Sequence, residues 1–182
     1  IAVDGNTQRD QVKDMISKNA IDQVLGTGGN PSVVTINNTT DWDAYALQLV
    51  ENPDIIIDTQ AKIGKLNNWG TVSDPKVTFV NGDIAINNSE TAEGCGILVV
   101  NGNLSINGNF TYRGLIIAYK ETTIEIKLNG NGKIYGGMVV AGQKIVIEVA
   151  SGNFSALYSL EAMSTMASLL KTNRFQIVSW WE

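Results

Sequence analysis

Three short segments of the chain read almost alike: Gly96-Ile97-Leu98-Val99-Val100, Gly114-Leu115-Ile116-Ile117-Ala118 and Gly137-Met138-Val139-Val140-Ala141. Their glycines stand 18 and then 23 residues apart, with Asn/Gly-rich turns between them. A glycine followed by an apolar quartet, returning at roughly the length of one coil, is the pattern of a solenoid that stacks like residues on like. The repeated positions are ones that pack and turn rather than react, so the pattern also points away from an enzyme.

The frame extends beyond the quartets. Val77-Thr78-Phe79-Val80 leads into Asn81-Gly82-Asp83, then Ile84-Ala85-Ile86 and Asn87-Asn88. Twenty residues on, Leu98-Val99-Val100 leads into Asn101-Gly102-Asn103, then Leu104-Ser105-Ile106 and Asn107-Gly108-Asn109. Ile124-Glu125-Ile126 and the stretch from Lys144 to Val149 alternate in the same way, and Asn129-Gly130-Asn131-Gly132 turns into Lys133-Ile134-Tyr135. Asn-Gly between apolar runs is a strong hairpin signal, so an antiparallel β-sandwich is the alternative. Hairpins do not require a common period near twenty; stacked coils do. The expected fold is mainly β: a parallel β-helix or β-solenoid.

The flanks differ. Residues 7 to 25 read as a helix, with Thr7 as cap, Asp10 in the capping-box position and Val12, Ile16, Ala20 and Val24 on one stripe. A shorter helix is expected after Thr40, with Asp43 in the box position and Trp42, Tyr45, Ala46 and Leu49 inward; Ser32–Ile36 and Ile55–Ile57 are short strand candidates. Near the C-terminus, Ser159 caps a helix whose stripe is Leu160, Met163, Ala167 and Leu170, followed by a strand, Phe175–Val178, that runs into Trp180-Trp181. This divides the chain into residues 1–75, an α/β N-terminal region or cap, and residues 76–182, the solenoid with its C-terminal helix and strand. A solenoid leaves apolar edges at its ends, and the N-terminal and C-terminal helices are expected to cover them.

Composition narrows the function classes. Charged residues make up 17% of the chain, below the usual quarter or so, and the net charge is −5 with no basic run. A nucleic-acid site needs a concentrated positive footprint, and an anionic membrane surface needs the same. Histidine is absent, which removes Ser-His-Asp, Cys-His and His-metal chemistry and leaves only Asp/Glu chemistry open. Cys95 is the single cysteine and reads as a small buried hydrophobe beside Gly94 and Gly96. No cofactor or metal is expected. No apolar run approaches the ~20 residues of a membrane span, and the chain opens at Ile1, so the expectation is a mature or trimmed fragment whose anchor lies upstream.

Among the acids of the repeat, Asp83, Glu90, Glu93, Glu121, Glu125 and Glu148, only Glu125 and Glu148 promise to stack on adjacent coils, and Lys127 and Lys144 make an ion-pair face their plainer reading. A glycosidase needs two carboxyls about 5 to 9 Å apart, one of them with a raised pKa. Trp69, Arg113 and Trp181 are the candidate contacts for a partner or glycan: Arg113 as a cation, the tryptophans as stacking platforms. Trp180 and its neighbour Trp181 must point to opposite sides of a strand, so one of them needs a partner beyond the core.

The run from Pro75-Lys76-Val77 to Asn81-Gly82-Asp83, the run Gly96 to Leu104, the run Gly108-Asn109-Phe110-Thr111-Tyr112-Arg113-Gly114-Leu115-Ile116, the run Gly130 to Gly137 and the close at Val178-Ser179-Trp180 together resemble the C-terminal region of bacterial PilX-type pilus assembly proteins, which are minor pilin-like proteins. The likeness spans about residues 75 to 182. It implies a secreted or envelope-anchored bacterial protein of the type IV pilus or a related secretion apparatus, with protein partners and no catalytic residues to carry over. The chain departs from that pattern in having no hydrophobic pilin-like helix. The expected function is a non-enzymatic cell-surface structural or adhesion module in a pilus or envelope assembly, extracellular or in the bacterial cell envelope. A carbohydrate-binding module, or a glycan-active hydrolase or lyase on a β-helix, is the alternative.

Overall fold

Why the quartets are unbroken while the neighbouring runs alternate is answered by which sides of each strand are covered. A computed structural model describes residues 2–16, 21–23, 29–36, 41–58, 62–63, 69–149 and 152–172. Its main sheet is parallel throughout, with the strands β3 (Ile55–Ile57), β5 (Lys76–Asn81), β6 (Ile84–Asn101), β7 (Leu104–Asn129), β8 (Gly132–Val149) and β9 (Ser155–Leu157) in that order and β4 (Lys62–Ile63) pairing with β6. Each long strand bends through a whole coil, so the architecture is the parallel β-solenoid, of about four turns, with helices from both ends of the chain packed on it. The sheet begins before Lys76, because Ile55–Ile57 pairs with Thr78–Val80.

The first two quartets are buried on both sides, and the third, Met138 to Ala141, is half-buried. Leu98, Val100, Ile116 and Ala118 face the interior of the coil, where they meet Ile84, Ile86, Leu104, Ile106, Ile124 and Ile126. Ile97, Val99, Leu115 and Ile117 face outward and are covered by Ala46, Leu49 and Met166, carried on helices α2 (Trp42–Leu49) and α3 (Leu160–Thr172). A strand buried on both faces needs a continuous apolar run, and one with a wet face needs alternation. Ala85, Ser105, Glu125 and Lys127 sit on the outer side of the alternating runs, with isoleucines between them.

The register corrects the repeat as read from the chain. Gly114 pairs with Gly136, not Gly137, so Leu115 stands opposite Gly137 and Ile116 opposite Met138. A slip of one residue exchanges the two faces, and the reason for this register lies in the backbone: Gly96, Gly114 and Gly136 stack at positive φ, and a Cβ on Gly136 would overlap the Gly114 carbonyl oxygen. A Cβ on Gly137 would meet only ordinary contacts, 3.5 Å from Leu115 Cδ1 and 3.9 Å from Met163 Sδ of α3. The shorter step from Gly96 to Gly114 is absorbed by an irregularity between Asn88 and Ala92.

The flanking helices are also adjusted by packing. Helix α1 runs Asn6–Met15 with Gly5 as its N-cap and no side-chain cap bond, so Thr7 lies within it. Ile16 leaves the helix in an extended conformation and bridges Val149 of the last long strand, where Val12, Ile16 and Val33 form a small core. The N-terminal region therefore folds back on the C-terminal end of the solenoid. Its two short strands, β1 (Ala2–Asp4) and β2 (Val34–Ile36), pair with each other; Ala20 and Val24 of the expected stripe lie outside the described residues. Helix α2 is capped by Asp41, whose Oδ1 accepts from Ala44 N at 3.0 Å, and Ala46 and Leu49 face inward as expected. Among the described side chains of α3, Ala162 and Met166 are buried and Leu169 packs beside Met166, while Leu160 is exposed; Ser159 Oγ accepts from Ala162 N, and the side chains of Ala167 and Leu170 lie outside those described.

Candidate interaction surface

Each coil contributes three short runs, and their outer sides differ in what they leave available. The outer side of the quartets is closed by α2 and α3.

The outer side of the alternating runs and their turns is occupied by amide ladders. Asn107 Nδ2 donates to Asn87 Oδ1 (2.8 Å) and to Ser105 Oγ (3.0 Å), and Asn129 Nδ2 donates to Asn107 Oδ1 (3.0 Å). Asn101 donates to Asn81 at 3.4 Å, and Asn131 to Asn109 at 3.3 Å. Asp83 accepts from Asn103 N and Nδ2 at 2.8 and 3.0 Å, and Asn103 Oδ1 accepts from Glu125 N at 2.8 Å. Every rung donates toward the N-terminal coil. These bonds between like positions tie each coil to the next and hold them in register, although the buried Asn129 Oδ1 has no partner among the described residues.

Among the described residues the carboxylates do not converge. Glu125 stands opposite Val146, and Glu148 opposite Lys127, so the two acids are not stacked. Lys127 Nζ lies 3.7 Å from Glu125 Oε2 with both side chains about half exposed, a pair worth at most about 1 kcal/mol. Asp83 is engaged by Asn103 and has Lys120 Nζ at 3.6 Å. An open depression where the β7–β8 register shifts is lined by Lys120, Glu121, Gly142 and Gln143. Among the described residues no three Asp, Glu or Cys side chains are grouped to hold a metal ion.

The third outer side carries two columns, Glu93–Thr111–Lys133–Ser155 and Cys95–Arg113–Tyr135–Leu157, set by register. Arg113 lies over the Tyr135 ring, 4.7 Å from its centroid, a contact worth about 0.5–1 kcal/mol at an exposed site. Leu157 beyond it is 49% exposed, and as the chain turns into α3 Tyr158 is 75% and Leu160 72% exposed. A run of large apolar side chains left in water beside two cations, Arg113 and Lys133, is the strongest interaction feature of the described surface. At the head of the second column Cys95 is buried, and burial pushes its thiol pKa up, with Arg113 opposing.

Of the three expected contacts, Arg113 is exposed on this surface. Trp69 is not available: it is 3% exposed in the solenoid interior, its carbonyl accepting from Cys95 N at 3.0 Å, because it fills the space that Gly94 leaves beside Tyr112. Trp181 lies outside the described residues. Leu160 was legible as a helix-stripe residue, but nothing in the chain signalled that it and Tyr158 are left in water at the start of α3.

Against protein-family models, curated proteins and solved structures, the chain matches none.

Proposed function

We propose that this chain is a non-enzymatic structural module of a bacterial cell-surface assembly, in the type IV pilus or a related secretion apparatus, and that the surface of Arg113, Tyr135, Leu157, Tyr158 and Leu160 meets its protein partner. The single observation that carries the reading is that surface, where exposed Leu157, Tyr158 and Leu160 follow the Arg113–Tyr135 column, while the asparagines of the alternating runs are engaged in ladders. The resemblance to PilX-type proteins over about residues 75–182 supplies the setting. A rigid parallel stack suits a load-bearing or spacing role, since each coil is joined to the next along its whole length.

The test is photo-cross-linking in cells that make the full-length protein, with the reactive residue at Tyr158 and, as control, at Gln143 on a different outer side. An adduct with a pilus or envelope protein from position 158 alone is expected. Recovery of the protein in the cytosolic fraction, with no adduct, would overturn the reading. Glycan binding is the second reading, favoured by the exposed Tyr158 ring beside the Arg113 column. A glycan array decides it: saturable binding lost in Tyr158→Ser selects the carbohydrate module.

A further inference from the structure

Five Asn-Gly pairs occur in the chain, at Asn81, Asn101, Asn107, Asn129 and Asn131. This dipeptide is chemically labile because the glycine offers no side chain to hinder its own backbone nitrogen. That nitrogen attacks Asn Cγ and loses its proton, the Cγ–Nδ2 bond breaks, and ammonia leaves. Water then opens the resulting succinimide at either carbonyl to give aspartate or isoaspartate. No electrons are exchanged, and water is the sole co-reactant. The attack requires the asparagine amide to swing over the following nitrogen and the glycine to follow it, so a restrained amide or a clamped glycine slows it.

We propose that Asn81 is a site of spontaneous deamidation, where the solenoid acquires a carboxylate with age, and that the amide ladders protect the other four pairs. Asn81 is exposed, its Oδ1 accepts one long bond of 3.4 Å from Asn101, and its Nδ2 donates to nothing among the described residues. Among the described residues, no atom lies within 4 Å of the place a Cβ on Gly82 would occupy. Asn101 shares the same long bond, but its Gly102 is buried, and a Cβ there would lie 2.5 Å from the Gly82 carbonyl carbon. Asn107 is held by three bonds of 2.8, 3.0 and 3.0 Å. Asn129 donates into that ladder at 3.0 Å; its Oδ1 is buried without a partner among the described residues, and Gly130 is stacked on Gly108, where a Cβ would lie 2.6 Å from Gly108 N. Asn131 donates to Asn109 and accepts from Asn153 N at 3.3 Å, while Gly132 is buried under the Phe154 ring.

The polarity of the ladders also determines where the product is tolerated. Each amide donates toward the N-terminal coil, so the first member of a ladder only accepts. A carboxylate accepts at least as well as an amide oxygen, and Asp83 already plays this part for Asn103. At Asn107 a carboxylate would instead set acceptor against acceptor at Asn87 Oδ1. Asn87 heads its ladder too, but Asn88 follows it rather than glycine. The reading is independent of any partner.

The experiment is peptide mapping with fragmentation on the native protein, incubated at neutral and mildly alkaline pH, beside the same protein held unfolded in urea. In the native protein Asn81 is expected to convert at least about tenfold faster than each of the other four, equivalent to about 1.4 kcal/mol of barrier. In urea the five rates converge. Equal rates in the native protein, or an Asn81 that reacts only when unfolded, would overturn the proposal. Two variants check the parts separately. Asn81→Gln removes the fast acidic species on isoelectric focusing, and its persistence would assign it elsewhere. Asn81→Asp keeps the parental unfolding midpoint while Asn107→Asp lowers it; equal losses would refute the tolerance argument.

Discussion

Gly82 and Gly114 share the same backbone dihedral, φ +136, and differ only in what surrounds them. A side chain at either site incurs the cost of a conformation that L-residues rarely adopt, about 1–3 kcal/mol, offset by the ~0.4–1 kcal/mol gained from a less flexible unfolded chain. At Gly82 that is the whole effect expected, since a Cβ would meet nothing within 4 Å among the described residues. At Gly114 a Cβ would overlap the Gly96 carbonyl oxygen and stand 2.8 Å from Met166 Sδ. Met166 is 1% exposed and clamps α3 to the sheet, and Gly96 O belongs to a backbone paired on both sides, so neither yields easily. Overpacking against a flexible core costs about 1–3 kcal/mol, and a backbone obstacle places Gly114→Ala at the upper end. The difference between Gly114→Ala and Gly82→Ala is therefore expected to be about 2–3 kcal/mol, with the dihedral contribution cancelling. At an m-value of about 1–3 kcal/mol per molar urea this separates the two midpoints by roughly 1 M, well resolved by circular dichroism. Equal losses in the two variants would show that the dihedral alone governs these positions and that the close stacking of glycine on glycine carries no weight.

Tyr112 is fully buried in the interior with its hydroxyl unpaired, and Tyr112→Phe is expected to raise stability by about 1 kcal/mol in urea unfolding, because an unsatisfied buried donor is removed. Burial pushes its phenol pKa well above 10.0, so as pH rises through the ordinary tyrosine range the unfolded chain loses a proton that the folded one keeps, and stability falls. That alkaline loss is expected to be smaller in Tyr112→Phe, and an unchanged pH profile would refute the assignment. Asn107→Ala removes its bonds to Asn87, Ser105 and Asn129 and is expected to cost about 1 kcal/mol, against less than about 0.5 for exposed Asn81→Ala, both read from urea midpoints. Asp41→Ala removes the cap of α2 and is expected to cost about 1 kcal/mol, with Asp41→Asn retaining most of it.

The parallel coil was legible because its signals are local. A continuous quartet reports burial on two sides, alternation reports burial on one, and Asn-Gly marks each bend; these follow from the two-residue period of an extended chain, which Ile84-Ala85-Ile86 and Ile97-Leu98-Val99-Val100 display without reference to the rest of the molecule. The cap of α2 was legible to within two residues for the same reason. What the chain alone left open were relations between distant segments. Gly114 could be matched to Gly136 or Gly137, and the choice fell to Gly136 because its positive φ and the closeness of the Gly114 carbonyl leave no room for a Cβ there. Helix α1 stops at Met15 because Ile16 finds an extended partner in Val149, far along the sequence. Trp69 reads as a surface platform until Gly94 opens a place for it inside. The outward cluster of Arg113, Tyr135 and Leu157 exists only once coils of unequal length are laid in register. Hydrophobic period is written into each few residues, whereas register and facing are set by steric fit between surfaces that meet only after folding, and these belong to the tertiary structure.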